Sequence, residues 1–231
     1  MTDFPRYAIY YAPSAGAPLA RFGADLLGYD AFTGHDVAFP AAVVAQFPDW
    51  PALTGDPRKY GFHATLKAPF ALAPLQHEAG LIAACDSFAT SPRAIPAITP
   101  LVQAISSFIA IVPAAPSAEL NSLAQDCVEA FDRFRAPMTP ADRARRKPEA
   151  LTPRQVKQLD RFGYPYVRDD FRFHLTLTGR LPAERAAEVL AMLQARFAEL
   201  DIAALRIDRL AVFRQDSASA RFRIVHETAL T

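Results

Sequence analysis

Two segments of the chain follow one pattern, Phe-His-x-Thr-Leu, and read Phe62-His63-Ala64-Thr65-Leu66 and Phe173-His174-Leu175-Thr176-Leu177. The chain has 5 histidines in 231 residues, so chance produces few His-x-Thr triplets and fewer still with both flanking residues. Residues i and i+2 of a strand project from the same face. We therefore predict two strands, over residues 60–69 and 166–178, that each place a histidine and a threonine on one face and apolar residues on the other.

Two such strands that face each other bring two imidazoles and two hydroxyls to one small site, which suits an anionic tetrahedral group such as phosphate. One histidine can deprotonate a water molecule while the other, protonated, donates to the leaving oxygen. Threonine hydroxyls can donate hydrogen bonds to the oxygens on which charge develops. We predict His63 and His174 as the acid and base, in either order, and Thr65 and Thr176 as phosphate ligands. This scheme needs no metal, and we expect no cofactor.

A single His-x-Thr triplet is more often a half-buried histidine satisfied by its threonine than a catalytic pair. The matched pairing of two triplets with the same flanks favours catalysis. A third triplet, His226-Glu227-Thr228, lacks both flanks. We expect it to lie at a solvated strand end, outside the site.

Four further side chains are candidates for substrate binding. Lys67 and Arg172 each lie two residues from a motif residue and share its face if the strands are regular; the alternative for both is a surface position. Arg145 belongs to a basic stretch, residues 143–161, which is usually a solvated helical face but can fold over a phosphate site. Tyr11 can line the cleft from the first strand or pack in the core.

The predicted elements alternate between strands and helices along the chain. We expect strands over residues 6–11, 60–69, 94–112 (a pair), 166–178, 204–214 and 220–228, and helices over 18–28, 75–90, 117–135 and 181–200, with short helices opening at Pro140 and Pro153. No short βαβ period requires a doubly wound parallel sheet. The pattern predicts an α+β fold of mixed or antiparallel sheets with outer helices, in two related halves.

The composition favours one folded domain that binds a small molecule. The chain is 51% apolar and 21% charged, and its net charge of +1 provides no field for a long nucleic acid. The 2 cysteines stand singly and indicate no disulfide framework. Neither a signal peptide nor a membrane-spanning run is apparent. We expect a monomer in the cytoplasm, without a membrane partner.

The paired H-x-T strands resemble the 2H phosphoesterase superfamily, which includes cyclic nucleotide phosphodiesterases and RNA ligase-like proteins. The sequence around the motifs, over residues 60–70, 151–155, 163–166 and 171–179, resembles a bacterial branch of this superfamily that is encoded beside phosphonate-utilisation genes. The resemblance spans nearly the whole chain. It implies a two-lobed fold over residues 1–231, with pseudo-twofold symmetry around a central cleft and the two histidines as the acid/base pair.

Together these observations predict a metal-independent cyclic phosphodiesterase, a hydrolase that opens a small ribose-type cyclic phosphate in phosphonate metabolism. One alternative is an enzyme that acts on a 2′,3′-cyclic phosphate at an RNA end, or a ligase-like relative of it. A second is a module that holds a nucleotide without turnover. A metal-dependent hydrolase is disfavoured because neither His-x-His nor His-Glu-x-x-His occurs.

Overall fold

A computed structural model describes residues 4–231. The helices are α1 Pro18–Leu27, α2 Ala41–Gln46, α3 Trp50–Leu53, α4 Gly55–Arg58, α5 Glu78–Ala89, α6 Ala118–Ala130, α7 Pro140–Arg145, α8 Pro153–Phe162 and α9 Ala183–Ala198. The strands are β1 Arg6–Tyr11, β2 Tyr29–Asp30, β3 His35–Asp36, β4 Ala64–Ala71, β5 Ala97–Ile98, β6 Pro100–Ile105, β7 Phe108–Pro113, β8 Leu175–Thr176, β9 Leu205–Arg206, β10 Arg209–Gln215 and β11 Arg223–Ala229. Short 3₁₀ turns cover Asp132–Phe134, Pro148–Ala150 and Arg168–Asp170.

The first motif lies at the edge of a sheet with the strand order β11-β10-β1-β4. All pairings in this sheet are antiparallel. His63 directly precedes β4, and Thr65 pairs with Tyr10 of β1. Tyr10 pairs with Thr65, but its neighbour Ile9 pairs with Lys67, so Leu66 is an extra residue in β4 and the register shifts at this point. A β-bulge therefore follows the motif threonine.

The second motif joins a separate sheet with the order β6-β7-β8, also antiparallel. Its strand is short, since only Leu175 and Thr176 pair with β7. Beyond it, the Thr178 hydroxyl accepts a hydrogen bond from the Ile109 backbone N–H at 2.9 Å. This bond fixes the end of the motif segment to β7.

Each of the two larger sheets combines strands from both halves of the chain. The first unites β1 and β4 with the C-terminal β10 and β11, and the second unites β6 and β7 with β8. Helix α6 packs against β4, α9 against β6, and α5 against β10 and β11. The main hydrophobic core contains side chains of both sheets, including Leu66, Ile111 and Leu175.

The predicted α+β class with antiparallel sheets and outer helices is confirmed. The second motif strand is an exception, because the prediction of residues 166–178 exceeds β8 at both ends. Arg168 has a φ of 52°, in the left-handed region, and a 3₁₀ turn follows over Arg168–Asp170. That turn cannot be extended strand. Among residues 4–231, no helix combines the length and the apolar character that crossing a membrane requires.

Candidate active site

A cavity of about 370 Å³, here called the motif cavity, opens where the two motif segments approach each other. Three of the four predicted motif side chains line it: His63, Thr65 and Thr176. His174 is not among the lining residues. Its ring lies next to the cavity, however, because its centroid is 5.7 Å from that of Phe108, and Phe108 is a lining residue. The remaining polar and aromatic side chains of the lining are Arg6, Tyr10, Asp56, Tyr60, Arg146, Tyr164, Thr178 and Arg180.

The His63 ring is held between a backbone carbonyl and an aromatic ring. Its Nδ1 lies 2.8 Å from the Gly61 carbonyl oxygen, and because a carbonyl can only accept, Nδ1 carries the hydrogen. The Tyr10 ring stacks on the imidazole at 3.9 Å between centroids, with an angle of 23° between the planes. The Nε2 atom is therefore the nitrogen left for proton exchange.

Glycine at position 61 follows from this geometry. Its φ of 75° lies in the left-handed region, and a Cβ there would come within 2.7 Å of the Ala31 Cβ. A residue with a side chain would be strained in this conformation and would also clash. Gly61 thus allows the backbone turn that aims its carbonyl at His63.

His174 repeats the same tether. Its Nδ1 lies 2.7 Å from the carbonyl oxygen of Arg172, again the residue two positions earlier. Nδ1 therefore carries the hydrogen here too, and Nε2 is the exchanging nitrogen. In both segments, a hydrogen bond from Nδ1 to the backbone carbonyl two residues earlier orients the imidazole.

Burial keeps both imidazoles neutral in the free protein. Burial lowers the pKa of His63 to about 4, although the hydrogen bond to the Gly61 carbonyl acts to raise it. The positive charge of a protonated His174 also lowers the pKa of His63. Burial also lowers the pKa of His174 from its ordinary value. A proton on either ring must then be stabilised by a bound anion, which is the expected behaviour of a phosphate site.

The two motif threonines are half-buried and lie on the cavity wall. The Thr65 Oγ1 atom is 3.5 Å from the His63 Nε2 atom, at the limit of a hydrogen bond. The Tyr10 hydroxyl also interacts with the Thr65 side chain. Hydroxyls in this position can donate to oxygens of a bound phosphate.

Two of the lower-ranked candidates lie outside the motif cavity. Lys67 is 3% exposed and donates to the Val128 carbonyl and to Asp132 Oδ1, both at 3.0 Å. The bulge after Thr65 breaks the alternation that placed Lys67 on the cavity face. Tyr11 is 2% exposed and packs in the main core, 6.1 Å from the Phe173 ring. Both predictions of substrate binding are corrected accordingly.

The two arginine candidates also need correction. Arg145 forms an ion pair with Asp142 and lines a neighbouring cavity, while Arg146, one residue on, lines the motif cavity. Arg172 is exposed and contributes its carbonyl to His174 instead of its guanidinium to the site. His226 lies outside the motif cavity, as predicted, but not at a strand end: it is half-buried in the middle of β11, and its Nε2 is 2.6 Å from Asp86 Oδ1.

Sequence reasoning missed the face of β1 that borders the cavity. Arg6 and Tyr10 lie on that face, whereas Tyr7 and Tyr11 face the main core. The signal was present, because Arg6 and Tyr10 stand four residues apart and alternation places them together. A polar residue in phase with Tyr10 favours the cavity face for that tyrosine. Within the described residues, no group of three or more His, Cys, Asp or Glu side chains is arranged to hold a metal ion.

Comparison with known proteins identifies relatives over nearly the whole chain. It is 35% identical over 228 residues to a ribose 1,5-bisphosphate phosphokinase PhnN of Janthinobacterium sp. (strain Marseille), covering 94% of this chain and 49% of that protein. It is 32% identical over 220 residues to the protein of that name in Laribacter hongkongensis (strain HLHK9), covering 95% and 50%. The chain thus spans about half the length of the curated relatives it matches.

A solved structure also resembles the chain, a conserved protein of unknown function, ATU0111, from Agrobacterium tumefaciens str. C58. The TM-score is 0.45 with 14% identity, over 96% of this chain and 85% of that chain.

The names of the relatives correct the predicted enzyme class. Both are named as phosphokinases and neither as a hydrolase, so the prediction of a cyclic phosphodiesterase is wrong. The family described as "Protein of unknown function (DUF1045)" matches residues 65–223, which include the last two residues of the first motif, Thr65 and Leu66, and all of the second. The chain belongs to this DUF1045 family.

Proposed function

We propose that the chain binds a small phosphorylated sugar of the ribose type in the motif cavity and exchanges protons at one of its phosphate ester bonds. The observation that carries this proposal is the convergence of His63, Thr65 and Thr176 on one cavity that Arg6 and Arg146 also line. Imidazoles, hydroxyls and guanidinium groups together bind the oxygens of a phosphate and move protons at them.

The proposed chemistry uses the two Nε2 atoms. A neutral imidazole accepts the proton of an attacking hydroxyl as its oxygen bonds to phosphorus. The other imidazole, protonated while the anion is bound, gives its proton to the oxygen whose bond to phosphorus breaks. Thr65 and Thr176 donate hydrogen bonds to the remaining phosphate oxygens as charge develops. The scheme balances, because one proton enters and one leaves the histidine pair.

The relatives support the sugar part of this proposal, since their name refers to a phosphorylated ribose. The phosphate-binding loop pattern Gly-x-x-x-x-Gly-Lys-Ser/Thr, common in nucleotide-dependent phosphotransferases, does not occur in this sequence. We accordingly propose that the sugar phosphate binds in the motif cavity, and we propose no nucleotide-binding site in this chain. Membership of the two-histidine superfamily and a role in phosphonate metabolism belong to the same proposal.

The test is conversion of ribose phosphates by the purified protein, followed by ³¹P NMR. Ribose 1-phosphate, ribose 5-phosphate and ribose 1,5-bisphosphate are each supplied with and without ATP. We expect one of them to be converted by the wild type, and conversion to fall by about 10² to 10⁴ in His63→Ala and in His174→Ala. His226→Ala is the control and keeps wild-type conversion. Unchanged conversion in both motif variants contradicts the proposal, as does an inert wild type.

A further inference from the structure

A second cavity, of about 280 Å³, adjoins the motif cavity; we call it the arginine cavity. The two share lining residues, namely Arg6, Tyr60, Pro69 and Arg146. The shared residues form a common wall, so a ligand in one cavity lies beside the other. The arginine cavity continues toward α7, where Arg145 lines it.

Positive charge dominates this second cavity. Arg6, Arg135, Arg145 and Arg146 line it, and Asp142 is the acidic residue among the lining. Arg135 is paired with Asp132 and Arg145 with Asp142. Asp132 and Asp142 thus offset the charges of Arg135 and Arg145. The positive charges of Arg6 and Arg146, in the common wall, are not offset by these two acids.

The Arg6 side chain is partly buried without a carboxylate partner within residues 4–231. Its guanidinium donates to the amide oxygen of Gln215, a neutral group. Burial lowers the pKa of Arg6, and the charges of Arg146 and Arg145 lower it further. A half-buried guanidinium that faces other guanidiniums is unfavourable in the empty protein and favourable once an anion lies among them.

Arg146 is oriented toward the same place. It is exposed, lines both cavities, and its guanidinium carbon lies 5.5 Å from the centroid of the Tyr164 ring. Arginine binds phosphate oxygens in a bidentate manner, and its planar group stacks on aromatic rings while doing so. Tyr164 itself lines the motif cavity.

From this geometry we propose that the arginine cavity is a second anion site, which makes the preferred ligand a small sugar with two phosphate groups. One phosphate lies at the motif histidines and the other contacts Arg6 and Arg146. The inference rests on the proposed function for the first phosphate and adds the class of ligand.

Isothermal titration calorimetry of two ligands tests the second site. Ribose 5-phosphate can fill one anion site and ribose 1,5-bisphosphate can fill both, so the ratio of their affinities measures the added site. Hydrogen bonds to a charged group are worth enough that we expect the bisphosphate to bind about 10- to 100-fold more tightly to the wild type. Arg146→Ala should bring this ratio close to one, wherever the monophosphate binds, whereas Arg145→Ala should lower it less because Asp142 already pairs with Arg145.

Arg133→Ala is the matched control, since Arg133 is exposed and lines neither cavity. It should keep the wild-type ratio. Thermal unfolding confirms that each variant is folded, which we expect because all three side chains are exposed. A wild-type ratio near one, or a ratio unchanged in the Arg146 variant, overturns the second site.

The outcomes separate the two proposals. If the Arg146 variant loses the preference while the motif histidine variants keep full conversion, the second site stands and the proposed function fails. If the ratio is unaffected while the histidine variants lose conversion, the proposed function stands and the second site is wrong. Tighter binding of a 5′-phosphorylated dinucleotide than of ribose 1,5-bisphosphate overturns the assignment to a sugar.

Discussion

At the scale of residues, the site depends on two imidazoles whose orientation is fixed before any ligand arrives. The bonds from Nδ1 to the carbonyls of Gly61 and Arg172 select one tautomer in both rings. A ring that is already oriented loses little freedom on binding. In the proposed reaction, the two Nε2 atoms are therefore the nitrogens that exchange protons.

The first prediction concerns coupling between the two histidines. In the proposed reaction one ring accepts a proton and the other donates it in the same step, so neither histidine is effective without its partner. We expect the His63→Ala, His174→Ala double variant to convert substrate about as slowly as the poorer single variant, instead of showing the product of both losses. Steady-state rates of folded single and double variants measure this. A double variant that multiplies the two single losses shows that the histidines act independently.

The second prediction concerns binding of sulfate, a dianion that does not titrate above pH 5. Burial lowers the pKa of His63 to about 4, so above that pH the His63 ring is neutral in the free site and the bound anion must recruit a proton to it. Sulfate affinity should rise by up to about tenfold for each unit of pH lowered from 7 to 5. Calorimetry in two buffers of different ionisation enthalpy should show proton uptake.

His63→Gln is the informative variant and should bind sulfate with a weaker dependence on pH, whereas His226→Gln should match the wild type. Circular dichroism at each pH is the control, because folding also weakens in this range. The unfolded histidine binds its proton near pH 6.5 and the folded one near 4, so stability is lost as pH falls between these values. Sulfate binding that is independent of pH contradicts the proposed proton uptake.

At the scale of elements, β4 performs two tasks that the bulge after Thr65 separates. Before the bulge, the strand presents the motif to the cavity. After it, Lys67 turns to the helical side and contacts Val128 of α6 and Asp132 of the following turn. Asp132 also accepts from the Arg135 Nε atom at 2.8 Å. One carboxylate thus holds two cations between β4 and the end of α6.

The third prediction follows from this shared carboxylate. Asp132→Ala leaves the buried Lys67 charge unpaired and should lower the free energy of unfolding by about 3 to 5 kcal/mol. Lys67→Met should lower it less, because Asp132 keeps Arg135 as its partner and the methionine fits an apolar position. Urea unfolding of both variants measures the difference. An equal or greater loss in Lys67→Met contradicts this account.

The same bulge shows how far a sequence can be interpreted. Alternation places Phe62, Ala64 and Leu66 toward the core and Thr65 toward the cavity, and the structure agrees. Alternation fails at the next residue, since a bulge depends on the register of two strands and one strand's sequence does not contain it. The choice between Tyr10 and Tyr11 is a different case. Arg6 is in phase with Tyr10, so the sequence itself contains a signal that Tyr10 borders the cavity.

At the scale of the whole molecule, the sheets join the two ends of the chain. Strand β1 lies between β4 and β10, so the first motif strand is held by a strand whose other neighbour comes from the C-terminal part. The predicted order of elements was largely right, yet the grouping into sheets was not visible from it. Strand partners are set by long-range packing, which local periodicity does not report.

The fourth prediction is that neither half of the chain folds alone. Residues 1–115 lack β8, β10 and β11, and residues 116–231 lack β1, β4, β6 and β7. Each half then exposes strand edges and the apolar side chains that face the missing strands. Circular dichroism should show a cooperative thermal transition for the full chain and none for either half. A cooperative transition in one half alone would show a self-sufficient lobe.

The local tether of each imidazole has a consequence for how such proteins diverge. Each ring is oriented by a carbonyl two residues before it. The long stretch between the motifs therefore does not determine which ring nitrogen carries the hydrogen. That stretch sets the separation of the rings and the shape of the walls around them. Insertions and deletions there alter the size of the molecule admitted and leave the tautomer of each ring intact. Descendants of one ancestor can thereby admit different molecules while inheriting the same pair of oriented imidazoles.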